Sequence, residues 1–150
     1  MCTYFNSNKR SIANEDITVY KVCCKIHHYD FTYEYRRVYS AFFHGKPYDF
    51  GEKYEAASTS MSKCHCLKQN NTPRFGTYKY VADGGWFHSF TNFGDAFEYI
   101  NTTLGCFSHC VVKCTIPKGT RYIDDGAFYK ITTRYSAIVS ESIIFDEMVG

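Results

Sequence analysis

The sequence predicts an α+β domain: a bent or split, largely antiparallel sheet with one or two short helices. Three observations carry this expectation. Short runs rich in Val, Ile, Tyr, Phe and Cys recur along the chain, punctuated by Gly, Pro, Asn and Asp. Only the stretch around residues 92–105 carries apolar residues at helical spacing. Strand-like runs lie on both sides of it without the regular alternation that builds a parallel α/β sheet. No repeat, low-complexity tract or linker divides the 150 residues, so one domain over 1–150 is expected.

The elements follow in order. Residues 1–14 are mostly polar and read as a loosely held lead-in. "ITVYKVCCKI", Ile17 to Ile26, is the first strand. Tyr20, Val22, Cys24 and Ile26 fall on one face, and Val19, Lys21 and Cys23 on the other. Two mostly apolar faces suggest a central position. "RRVYSAFF" reads as a second strand ended by "HGKP". The stretch from Tyr48 to Gly76 reads mostly as loop, and "TYKYVADGG" as a strand stopping at Gly84-Gly85. Asn92 and Asp95 then open a helix of about ten residues. It runs from about Asp95 to Leu104, with Ala96, Phe97, Ile100 and Leu104 as its apolar stripe and Gly105 at its end. "HCVVKCTIP" is a strand closed by the turn "PKGT", and "RYIDDG" follows.

The last stretch, "SAIVSESIIFDEM", reads as one closing strand. Alternation then puts Glu141 on the same face as Val139, Ile143 and Phe145. A carboxylate facing an apolar interior costs several kcal/mol unless it is paired. The plain readings are an edge position, a bulge that turns Glu141 outward, or an ion pair with Lys or Arg. The functional reading is a partly desolvated acid in a cleft. That cleft would lie beside the Gly84-Gly85-Trp86 turn, with Lys21 as the partner of Glu141.

Composition narrows the function classes. Lys and Arg number 17 against 15 Asp and Glu, for a net charge of +2. Arg36-Arg37 and the 14 Tyr offer some charge and stacking, but no basic stripe dominates, so nucleic acid is not the expected partner. No apolar run is long enough to span a bilayer, and "MCTYFNSNKR" lacks the pattern of a signal peptide. A cytoplasmic protein without a membrane partner is expected. The eight cysteines then read as thiols rather than a disulfide framework. Cys110, Val112, Cys114 and Ile116 share one strand face, where thiols pack as small hydrophobes. Cys64, His65, Cys66, Cys106, His109 and Cys110 are zinc-type donors, but Cys-x-Cys is not the usual knuckle and the others straddle a helix end and a strand. No metal is expected.

Four pieces in fixed order carry a resemblance. They are the strand with Tyr20-Lys21, "GGWFHSFTNFGDAFEYI", "CVVKCTIPKGTRYI" and "SESIIFDEM". This order resembles the C-terminal half of the ADP-ribosyltransferase superfamily, over roughly residues 84–148 plus the first strand. The opening "MCTY", the "DITVYK" strand and the "IPKGTRY" turn are also similar to small uncharacterised proteins of gut Bacteroidales and their phages. The transferase resemblance implies NAD as the cofactor. It implies Glu141 as the catalytic acid, holding a ribose hydroxyl and stabilising an oxocarbenium-like centre as nicotinamide leaves. It implies Lys21, Trp86, Phe87 and His88 as ligand-binding residues. Lys21 departs from the superfamily's His or Arg, and Lys cannot form the planar fork of Arg. Ser58-Thr59-Ser60 also matches a triplet of toxin-type transferases, although such clusters are common in loops. Two functions are open: an NAD-cleaving transferase, or a non-catalytic module on the same scaffold for a nucleotide-like ligand or a partner protein.

Overall fold

The computed structural model describes residues 3–25, 37–40, 43–64, 78–104, 109–130 and 133–150. In chain order its first strands are β1 Tyr4–Phe5, β2 Ser11–Ile12, β3 Ile17–Lys25, β4 Arg37–Ser40 and β5 Phe43–Asp49. Then come β6 Lys53–Glu55, β7 Met61–Lys63, β8 Tyr80–Ala82 and β9 Phe87–Phe90. The helix α1, Phe93–Tyr99, runs into a π turn at Ile100–Leu104. β10 His109–Ile116, β11 Arg121–Lys130, β12 Thr133–Ser140 and β13 Ser142–Met148 close the chain. All thirteen strands join one sheet, in the order β6-β13-β10-β3-β9-β12-β11-β1-β8-β7. β2 adds to β11, and β4 joins β5 to β3. Among the described residues the result is a mostly antiparallel sheet with one short helix, the coarse class that the sequence predicts. No helix among the described residues is long and apolar enough to cross a membrane.

The sheet is both split and bent. One edge of β3 pairs with β10 from Ile17 to Cys24. The other edge is shared between β9, at Tyr20, and β4, from Cys23 to Lys25. The sheet therefore forks at β3. The bend follows from chain length. β12 and β13 are four strand positions apart, about 19 Å in a flat sheet. Only Glu141 separates them, and Ser140 to Ser142 reaches about 7 Å at most. The sheet must curl until these strands meet at Glu141.

The curl encloses Val19, Cys23, Phe87, Cys110, Cys114, Ile138, Ile143 and Phe145 on its inner face, capped by Tyr48 and Tyr54. Tyr48 stacks on Phe145 at 4.5 Å. The other face holds Val22, Phe90, Val111, Phe128 and Tyr135 under the Ala96 and Tyr99 side of α1. It continues into Phe5, Ala82, Trp86, Ile123 and Val139. Cys110, Val112, Cys114 and Ile116 do share one face, as their spacing predicts. The turn at Pro117–Thr120 also forms, with Gly119 at φ 88° and the Thr120 N–H donating to the Pro117 carbonyl at 3.1 Å.

Several expectations need correction. Part of the lead-in is held in the sheet: β1 lies between β11 and β8, and Phe5 fills the core beside Trp86. "HGKP" does not end a strand; it lies within β5, where Pro47 pairs with Tyr39. Among the described residues β5 pairs only with β4, and such an edge tolerates a residue without an N–H. β6 and β7 form in the stretch read as loop. The helix begins at Phe93, two residues early, with the Asn92 side chain accepting from the Asp95 N–H. Phe97 is 45% exposed and stacks on Phe93 instead of facing the core. Gly105, read as the helix end, lies outside the described residues. The closing run is two strands, so its parity slips at Glu141: Val139 enters one core and Ile143 and Phe145 the other.

Candidate functional site

Glu141 sits at the corner where the sheet changes partner. Its N–H donates to the Arg121 carbonyl at 3.0 Å, ending the β11 ladder. Its carbonyl accepts from the Ala56 N–H at 2.7 Å, opening the β6 ladder. Both backbone groups are thus fixed, and the side chain is aimed by the corner itself. The carboxylate is 17% exposed and meets two guanidinium groups. Arg121 Nε donates to Oε2 at 2.8 Å. Arg10 Nε lies 3.6 Å from Oε1, and that buried oxygen has no hydrogen-bond partner. Lys21 is not the partner of Glu141: it faces the opposite side of the sheet.

Arg10 ties this acid to the glycine turn. Its guanidinium carbon lies 5.1 Å over the Trp86 ring, a cation–π contact. Its Nη2 donates to the Thr59 carbonyl. The triplet Ser58-Thr59-Ser60 therefore belongs to the same place. Trp86 Nε1 donates to the Ser60 carbonyl at 3.0 Å. Asp83 organises the turn by accepting from Ser58 Oγ at 2.7 Å, the Gly85 N–H at 2.8 Å and the Ser60 N–H at 3.2 Å. Burial works to raise its pKa, but these bonds outweigh that and hold its carboxyl below the usual value. Gly85 is required here by close approach: a Cβ would lie 2.5 Å from Ser58 Cβ.

The other expected site residues are internal. Trp86 is 1% exposed, beneath Arg10 and among Phe5, Ala82, Ile123 and Val139. Phe87 belongs to the inner core, edge-on to Tyr48 at 6.3 Å. Neither ring offers a free face for stacking as the side chains stand. His88 is 6% exposed, with both ring nitrogens bonded. The Asp83 carbonyl at 2.7 Å can only accept, so Nε2 carries the proton. Nδ1 then accepts from the Thr3 hydroxyl at 2.8 Å. Burial, with the Lys21 charge adding, lowers the His88 pKa to about 4 despite the Asp83 bond, so the ring is neutral. Lys21 is 3% exposed and donates to the His88 carbonyl at 2.5 Å. Lys21 and Phe87 thus enter one core, while Trp86 and His88 lie on the other side of the sheet. Alternation along β9 separates them.

Cys23, Cys24 and Cys114 are free thiols. Burial raises the Cys23 and Cys114 pKa values, which keeps both protonated. Among the described residues no group of three His, Cys, Asp or Glu stands close enough to hold a metal. His65, Cys66, Cys106 and Arg36 lie outside the described residues. Sequence reasoning missed Arg10, Arg121 and Asp83. Arg121 stands beside Glu141 through the β11–β12 ladder, and Arg10 arrives with β2, which pairs with β11 at Arg121; these partners are distant in sequence. No family model, curated protein or solved structure matches the chain.

Proposed function

We propose that the chain binds a nucleotide-like ligand at the Arg10–Glu141–Arg121 cluster, on a scaffold like that of the ADP-ribosyltransferases. One observation carries this reading: Glu141 Oε1 is buried, has no hydrogen bond, and lies beside Arg10 and Arg121. A carboxylate oxygen of this kind accepts strongly from a ribose hydroxyl. Two guanidinium groups next to it suit phosphate oxygens. Ser58, Thr59 and Ser60, joined to Arg10 through the Thr59 carbonyl, would form the rim.

Binding without cleavage is the version we favour. Oε2 is already held by Arg121 at 2.8 Å, which spends half of the carboxylate on an ion pair. The expected aromatic platform is also internal, so nothing supports a nicotinamide stack. NAD cleavage by Glu141 is the second reading, and the free Oε1 is what keeps it open.

The test compares wild type and Glu141→Gln with NAD and with ADP-ribose. Thermal shift reads binding and nicotinamide release reads cleavage. A shift with both ligands but no release supports the binding module. Release that Glu141→Gln abolishes supports the transferase. If wild type neither shifts nor releases nicotinamide at millimolar NAD, both readings fall, and Glu141 is the structural pin of the corner.

A further inference from the structure

We propose that Lys21, Ser89 and Ser140 form an internal site for a small monovalent anion of halide size. This site is separate from the Glu141 cluster, which lies on the other side of the sheet. All three residues are buried, and all three side chains enter the inner core. Lys21 shares its face of β3 with Val19 and Cys23, Ser89 its face of β9 with Phe87, and Ser140 its face of β12 with Ile138. The register brings them together. Tyr20 pairs with Phe90, which sets Lys21 opposite Ser89. Ser89 pairs with Ile138 and Phe87 with Ser140, so Ser140 is the diagonal neighbour of Ser89. Such positions have Cβ atoms about 5 Å and about 7 Å apart.

Their hydrogen-bonding capacity is only partly spent. Lys21 makes one hydrogen bond among the described residues, to the His88 carbonyl, which holds its ammonium beside the His88–Ser89 peptide. Ser89 Oγ and Ser140 Oγ have no hydrogen-bond partner. Buried polar groups are rarely left in this condition, and two unpartnered hydroxyls beside an ammonium with one bond call for a shared partner. No carboxylate pairs with Lys21 among the described residues. The nearby thiols do not supply the charge, because burial keeps Cys23 and Cys114 protonated. One ammonium and two hydroxyls are all donors to a guest that only accepts. Burial lowers the Lys21 pKa, and a water molecule would meet the hydroxyls without offsetting that penalty on the ammonium. An anion does both. Val19, Phe87 and Ile138 share that buried face, and apolar neighbours favour a compact, weakly hydrated ion.

The test is thermal unfolding with chloride or bromide replacing gluconate at constant ionic strength. The wild-type midpoint is expected to rise saturably, by about 3–6 °C at ten times the half-saturating concentration. Lys21→Met, which keeps side-chain length, should lose the rise. Ser89→Ala and Ser140→Ala should each raise the half-saturating concentration about tenfold or more, as expected for a lost hydrogen bond to a charged group. These two variants carry the test if Lys21→Met does not fold. A crystal grown in bromide should show an anomalous peak beside Lys21 Nζ. The proposal is overturned by a wild type indifferent to chloride, by an equal rise in all three variants, or by a water without anomalous signal at that position.

Discussion

Gly85→Ala tests whether the Ser58 triplet and the glycine turn form one unit. A Cβ at residue 85 would lie 2.5 Å from Ser58 Cβ and 2.6 Å from both Ser58 N and O. Carbon atoms rest about 3.5–4.0 Å apart, so the segments must separate by about 1 Å. Ser58 cannot simply rotate away, because two of the contacts are with backbone. The segment is also held by Ser58 Oγ and the Ser60 N–H on Asp83, by Trp86 Nε1 on the Ser60 carbonyl, and by Arg10 on the Thr59 carbonyl. Overpacking costs about 1–3 kcal/mol, and each hydrogen bond lost adds about 1 kcal/mol. The expected destabilisation is about 2–4 kcal/mol, a fall in Tm of about 5–12 °C for a chain of this size. Urea unfolding measures it directly. Gly94→Ala is the control: in α1 its Cβ meets only Asn92 Oδ1 at 3.5 Å, and the change should be neutral or stabilising by up to about 1 kcal/mol. If Gly85→Ala stays within about 0.5 kcal/mol of wild type, Ser58 does not lie against the turn, and the rim of the proposed site loses its basis.

Three further outcomes are expected. Trp86 is the single tryptophan, so Arg10→Ala should shift its emission to the red and raise acrylamide quenching; unchanged emission would place Arg10 elsewhere. His88 has its pKa lowered from 6.5 to about 4 on folding, so the unfolded chain binds the proton more tightly between those values. Its contribution to stability is full above pH 6.5 and is lost as pH falls toward 4, by about 3 kcal/mol at most. His88→Gln should flatten the stability profile between about pH 5 and 6.5, and nitrogen-15 spectra of wild type should show the Nε2–H form throughout that range. Thiol titration in denaturant should count eight groups, whereas in the native state Cys23, Cys110 and Cys114 should react last. Rapid native labelling of Cys114 would contradict its burial in β10.

The sequence alone was enough for the strands whose two faces both meet apolar neighbours. β3 and β10 could be read from alternation because most described side chains there are buried or half-buried, on one side or the other. The Pro117–Thr120 turn and the Asn92 cap are also local, since their bonds close within a few residues. Tertiary structure decided the rest, because the deciding contacts are distant in sequence. β1, β6 and β7 are two or three residues long and exist only as partners of β11, β13 and β8. Their local pattern carries no period to detect. Glu141 was legible as an acid out of place, but its surroundings were not. One residue of parity slip moved Ile143 and Phe145 into a different core from Val139, and only a curled sheet requires that slip. The β2–β11 and β11–β12 pairings then supplied Arg10 and Arg121, while Lys21, the expected partner, was turned by alternation to the inner face.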